Sequence, residues 1–115
     1  MPNCIFCDIA SGARKADIVY QNERIVAFRD SAPKAPVHIL VIPKKHIASI
    51  NDVDNSDIEL LGAMVLAASD IAKEMAIATT GYRLIFNTGP DGGQIVDHIH
   101  LHILGGKGLD ELANR

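Results

Sequence analysis

The sequence predicts an α+β domain in which an antiparallel sheet of about five strands carries one long helix on one face, with a further short helix near the start. Three observations predict it: short β-branched and aromatic runs separated by turn residues, a single stretch of about twenty residues with helical apolar spacing, and a late run in which histidines alternate with aliphatic residues. At 115 residues the chain is long enough for one real core and too short for two, so residues 1–115 are expected to form a single domain.

Ile5 to Ala10 reads as a short helix or turn ended by Ser11-Gly12. Ile18-Val19-Tyr20-Gln21 and Arg24 to Arg29 flank Asn22-Glu23, which fits a β-hairpin. After the loop Ala32-Pro33-Lys34-Ala35-Pro36, the apolar run Val37 to Ile42 reads as a central strand stopped by Pro43. Ser56-Asp57-Ile58-Glu59 has the form of a capping box opening the long helix. Ile58, Leu61, Met64 or Val65, Ala68, Ile71 or Ala72 and Met75 mark its expected buried stripe. Gly81 restarts the chain as a strand from Tyr82 to Asn87, and the histidine run is the last strand. No internal repeat or low-complexity tract interrupts this order.

Apolar residues make up 48% of the chain and aromatics 4%, with no tryptophan, so the core must be aliphatic. A formal net charge of -3 offers no broad basic field, which argues against nucleic acid and against a membrane surface as main partners. Met1-Pro2-Asn3-Cys4 opens without a charged or apolar leader, and no stretch is long enough to span a bilayer, so a cytoplasmic protein is expected. Cys4 and Cys7 are too few for a disulfide framework and read as thiols or metal ligands in a reducing compartment.

The chemistry concentrates in Asp97-His98-Ile99-His100-Leu101-His102-Ile103-Leu104, which holds three of the five histidines. On a strand His98, His100 and His102 share one face, roughly 7 Å apart, while Ile99, Leu101 and Ile103 share the other. Such a face could ligate a metal, attack phosphorus while neighbours hold the phosphate, or be merely a polar surface. The loop Gly92-Gly93-Gln94 lets backbone approach a ligand and adds an amide, which suits an anion, phosphate first. Its bland alternative is a tight connection between adjacent strands.

With Gly92-Gly93-Gln94, the run Val96 to Leu104 resembles the His-φ-His-φ-His-φ-φ signature of the histidine-triad (HIT) superfamily. Phe28-Arg29-Asp30, Ala35 to Ile47, Gly81-Tyr82-Arg83 and Asn87 extend the likeness and are similar to the Hint branch, whose members hydrolyse purine nucleoside phosphoramidates and aminoacyl adenylates. The resemblance implies a HIT-like fold with histidines on the open face and a homodimer. Catalysis, for which it implies no cofactor, falls to His100, His102, His38 and His98. His100 would attack the α-phosphorus and form a nucleotidyl-histidine that water cleaves. His102 would face the phosphate oxygens and His38 would orient the site. Asn87, Gly93 and Gln94 would meet the phosphate, and Asp30 the ribose hydroxyls of a purine nucleoside monophosphate. Ile5, Phe6, Ile9 and Phe28 resemble the apolar wall around the base.

Cys4-Ile5-Phe6-Cys7 supplies half a tetrahedral zinc site by spacing alone. Zinc-containing bacterial relatives pair such a motif with histidines that map to His46 and His98, which implies a structural zinc at Cys4, Cys7, His46 and His98. Two departures stand out: Ile95 follows Gln94 where many Hint proteins have a serine that contacts the leaving group, and the tail from Lys107 to Arg115 has no aromatic residue. The competing readings are a metal-dependent hydrolase using His98, His100 and His102 as ligands, and a nucleotide-binding or interaction protein with little turnover.

Overall fold

The computed structural model describes residues 4–109. Its elements are α1 (Ile5–Ser11), β1 (Ile18–Gln21), β2 (Ile25–Arg29), β3 (Val37–Pro43), two 3-10 turns (Ile50–Asp52 and Asn55–Asp57), α2 (Ile58–Glu74), β4 (Tyr82–Phe86) and β5 (Leu101–Gly105). The strands form one sheet in the order β1-β2-β3-β5-β4, and every neighbouring pair is antiparallel. β3 is therefore central, and its nearly unbroken burial explains its apolar sequence.

Alternation along the strands splits the apolar residues between two cores. Ile25, Ala27, Ile39, Val41, Leu101 and Ile103 pack under α2 with Met64, Ala67, Ala68 and Ile71. Val26, Phe28, Leu40 and Ile42 face the other way and pack with Phe6 and Ile9 of α1. A seven-residue helix does not stand alone in water, so α1 depends on this packing and on its ends. Cys4 caps it by accepting the Cys7 N–H, and Gly12, at φ 86°, closes it with an N–H to Ile9.

Three local expectations need correction. The capping box is not Ser56 with Glu59: Asp54 accepts the Ser56 N–H at 2.8 Å, and Asp57 accepts the Asp54 N–H at 3.1 Å. Carboxylates outcompete the hydroxyl for these donors, and Lys45 fixes Asp57 at 2.7 Å. The expected stripe of α2 holds at Met64, Ala68, Ile71 and Ala72, with Leu61 and Met75 half-buried beside it, but it widens to Leu60 and Ala67 and leaves out Ile58, 64% exposed, and Val65, 45% exposed. Apolar residues occur around much of this helix, and the alanine-rich line wins because it lets the helix approach the sheet.

The third correction concerns the histidine run. Only His102 belongs to a strand, because regular pairing of β5 starts at Leu101, opposite Val41 and Phe86. Beyond that point β3 ends in Pro43, which has no N–H for the ladder. The backbone is instead anchored by the Ile99 N–H on the Ile47 carbonyl, at 2.7 Å. Ile99, Leu101 and Ile103 still enter the α2 core, so the histidines still turn toward the α1 face. α1 covers part of that face, which leaves His98 and His100 buried.

Candidate active site

A cavity of about 610 Å³ lies on the α1 face of the sheet. Its floor is His38 and Leu40 of β3, His102 and Leu104 of β5, and His100 just before β5. Ile5, Phe6 and Ile9 from α1 and Phe28 from β2 wall one end, with Asp30 beside them. Ile85, Asn87, Gly93 and Ile95 complete the lining from the β4 side and its following loop, and Val96 packs with the α1 cluster.

Hydrogen bonds fix the ring protons. The Lys34 backbone N–H donates to His38 Nδ1 at 3.0 Å, so a neutral His38 carries its proton on Nε2. That proton goes to His102 Nδ1, 2.9 Å away, with Asp30 Oδ2 at 3.4 Å from the same nitrogen. His102 therefore carries its own proton on Nε2. His100 Nδ1–H donates to the His98 carbonyl at 2.8 Å, which leaves the Nε2 lone pair of His100 free. Phe6 packs edge-on against His100, with ring centroids 5.1 Å apart, and holds its orientation.

Burial keeps these rings neutral. It lowers the pKa of His38 and His100 against the pull of Asp30, and lowers that of His98 as well. His102 is pushed down to about 4, by burial first and then by His100 and His38. A neutral imidazole with a free Nε2 at the cavity floor, beside a second ring with an N–H, can attack an electrophilic centre and donate a hydrogen bond to the oxygens around it.

Two expected site residues have other engagements. Gln94 does not line the cavity: its Oε1 accepts the Gly89 N–H at 3.0 Å and its Nε2 donates to the carbonyls of Ala48 at 2.7 Å and Val96 at 2.9 Å. Both amide protons are thus spent on holding the loop. Asn87 Nδ2 joins the same clamp by donating to the Gly92 carbonyl at 2.8 Å, while Asn87 itself lines the cavity. The His98 side chain does not line the cavity, and His98 meets the cavity histidines through its carbonyl. Sequence reasoning had no signal for the Lys34 N–H or the His98 carbonyl, since every residue has both groups. Arg14, Lys15 and Lys34 on the cavity wall were also not anticipated.

The His98 ring belongs to a second cluster. His98 Nε2–H donates to the Pro43 carbonyl at 2.9 Å, which leaves Nδ1 with its lone pair 3.4 Å from Cys4 Sγ and 3.5 Å from Cys7 Sγ. Cys7 Sγ is 3.2 Å from His46 Nδ1, and the four donor atoms all lie within 4.8 Å of one another. Tetrahedral zinc with bonds of ~2.3 Å to sulfur and ~2.0 Å to nitrogen would space such donors by roughly 3.3–3.8 Å, so the set fits that ion. Asp30, His38 and His102 also converge, but the Lys34 N–H on His38 Nδ1 keeps a proton on Nε2, where a metal would need a lone pair. Among the described residues, His98, His100 and His102 do not converge as ligands, which removes the geometric basis of the metal-dependent alternative.

The site and fold together define a class: a five-stranded antiparallel sheet with three neutral histidines on the floor of one cavity. Residues 3–112 match the family described as "Scavenger mRNA decapping enzyme C-term binding". The purine nucleoside phosphoramidase of Escherichia coli (strain K12) is 49% identical over 105 residues, covering 91% of this chain and 88% of that protein. A HIT family hydrolase from Legionella pneumophila Philadelphia 1 superposes with a TM-score of 0.94 at 50% identity, over 95% of this chain and 97% of that one. A Zn-bound histidine triad family protein from Mycobacterium smegmatis superposes with a TM-score of 0.80 at 30% identity, over 98% and 81%. The chain belongs to the histidine-triad family, and it is a hydrolase of that family.

Proposed function

We propose that this hydrolase cleaves purine nucleoside 5′-phosphoramidates and aminoacyl adenylates at the α-phosphorus. The observation that carries the reading is the free Nε2 lone pair of His100 on the floor of a cavity with one apolar end. The purine stacks against Ile5, Phe6, Ile9 and Phe28, and Asp30 accepts from the ribose hydroxyls. His100 Nε2 forms a bond to phosphorus as the bond to the leaving group breaks; a phosphoramidate expels an amine, which takes a proton from water, and an aminoacyl adenylate expels a carboxylate. The positive charge left on His100 is stabilised by its Nδ1–H bond to the His98 carbonyl. His102 donates its Nε2–H to a phosphate oxygen, in a tautomer set by His38 and, behind it, by Lys34. The Gly93 backbone borders the phosphate, and Asn87 and Gln94 hold the loop that presents it. Water then attacks phosphorus as the bond to His100 Nε2 breaks, its proton passes to solvent, and the nucleoside monophosphate is released with His100 neutral again.

Cys4, Cys7, His46 and His98 would hold a structural zinc, which ties α1 to the segments around Pro43 and His98. No step of the reaction needs it. The working unit is a homodimer, for which the exposed Ile58, Val65 and Leu66 of α2 and the β4 edge supply an unpaired surface; a monomeric mass in light scattering would remove it. Among the described residues no helix is long and apolar enough to cross a membrane.

The test is release of AMP from adenosine 5′-phosphoramidate by the wild type and by His100→Ala, with chelator present. Rapid release abolished by the substitution supports the histidine nucleophile. Tight nucleotide binding with turnover no faster than His100→Ala would favour a binding protein instead.

A further inference from the structure

The apolar wall of the cavity holds a planar base without telling one purine from another. Ile5, Phe6, Ile9, Ala16 and Phe28 offer it surface and no side-chain hydrogen bond, so the choice of base falls to polar heads beside that wall. Arg14 and Lys15 are placed there. The Arg14 backbone N–H donates to the Asp8 carbonyl of α1 at 3.1 Å, and Ala16 packs against the cluster that holds Phe6, Ile9 and Phe28. Both side chains line the cavity and both are exposed. Among the described residues no carboxylate pairs with either; Asp17 is taken by Arg29 at 3.3 Å, and Asp30 lies 3.4 Å from His38. The other cation of the lining, Lys34, belongs to the loop over His38, whose Nδ1 takes its backbone N–H.

The base end therefore presents side-chain donors and no side-chain acceptor, since guanidinium and ammonium groups only donate. The base edge that matches them accepts twice: O6 and N7 of guanine or hypoxanthine lie side by side, whereas adenine puts an amino donor at position 6. A phosphate on the ribose would also attract these groups, but it would have to sit against the Asp30 carboxylate, which suits free hydroxyls instead. We propose that Arg14 is a specificity-determining residue that selects 6-oxopurine nucleotides over adenine nucleotides by a forked hydrogen bond from its guanidinium to O6 and N7. This rests on the phosphoramidase reading above, with the base against α1.

The test compares kcat/KM for the 5′-phosphoramidates of guanosine, inosine and adenosine. The wild type should prefer guanosine and inosine alike over adenosine by about tenfold, the order expected for one forked contact at an exposed rim. Inosine lacks the amino group at position 2, so its parity with guanosine assigns recognition to O6 and N7. Arg14→Ala should bring the three substrates within about twofold of one another, and Arg14→Gln, whose amide donates and accepts as adenine requires, should move the preference toward adenosine; thermal melts confirm that both variants fold. A wild type that takes all three equally, a preference for guanosine that inosine does not share, or a preference that survives Arg14→Ala overturns the proposal while leaving the phosphoramidase reading standing. An equal loss toward all three substrates in Arg14→Ala would make Arg14 a general attractor of the anion and overturns it as well. A wild type that turns over none of them overturns both.

Discussion

Substituting Gly92 by alanine tests how tightly the loop before the histidine run is built. A Cβ at this position would overlap the Thr88 carbonyl oxygen and lie 2.9 Å from Thr88 N and 3.0 Å from Thr88 C. These are backbone atoms, so no side-chain rotation relieves the clash, and the turn from 88 to 93 must open by about 1 Å to restore ordinary contact. Two bonds are exposed to that movement: Gly92 N–H to the Gly89 carbonyl at 3.2 Å, and Asn87 Nδ2 to the Gly92 carbonyl at 2.8 Å. At about 1 kcal/mol each, their loss costs about 2 kcal/mol, or roughly 8 °C in melting temperature for a chain of this length. The larger effect falls on activity, because Gly93 and Ile95 border the cavity and move with the turn. A misplacement of about 1 Å beside the reacting centre lowers the rate by about 100-fold. AMP release from adenosine 5′-phosphoramidate gives kcat/KM, and circular dichroism gives the melt. Wild-type values in both would refute the argument that this backbone contact sets the loop.

Other expectations follow from the same geometry. Because burial lowers the pKa of His100 and of His38 beside it, and that of His102 to about 4, kcat/KM should stay flat through the ordinary histidine value of about 6.5 and decline only at lower pH; a midpoint at about 6.5 would count against a buried neutral nucleophile. The sign for stability is the same: the folded pKa lies below the unfolded one, so the contribution is complete above pH ~6.5 and is lost as pH falls toward the folded value, which acid titration of the melting temperature would reveal. Cys7→Ala should lower bound zinc from about one equivalent per chain to a trace, and should raise KM more than it lowers kcat, since α1 carries Ile5, Phe6 and Ile9. Elemental analysis and steady-state kinetics check both parts, and unchanged zinc content would exclude this ligand set. Met64→Ala opens a cavity under fully buried β3 and β5 residues and should cost about 2–5 kcal/mol in urea unfolding, with kcat preserved in the folded fraction; a cost below ~1 kcal/mol would mean that the core collapses around the gap.

Local chemistry made much of this protein legible before any coordinate. Side-chain period follows from backbone geometry within a few residues, so the alternation of histidines with Ile99, Leu101 and Ile103 was enough to put His100 and His102 on one face, while His38 joined them only through the resemblance. The cavity lining drawn from Asp30, Asn87, Gly93 and the apolar residues of α1 was legible through the resemblance. The stripe of α2 was less so, because a helix with aliphatic residues on several faces has more than one admissible line, and only the sheet beneath it selects Leu60, Met64 and the alanines. What a polar group does was the least legible. Whether Gln94 binds a ligand or ties a loop depends on the Ala48 carbonyl, 46 residues away, and His98 meets Cys4 across 94 residues. Which nitrogen of His38, His98 or His100 holds the proton depends on the Lys34 N–H and the carbonyls of Pro43 and His98. Every residue carries such backbone groups, so their identity encodes nothing; only the folded chain brings one of them within 3 Å of a given ring.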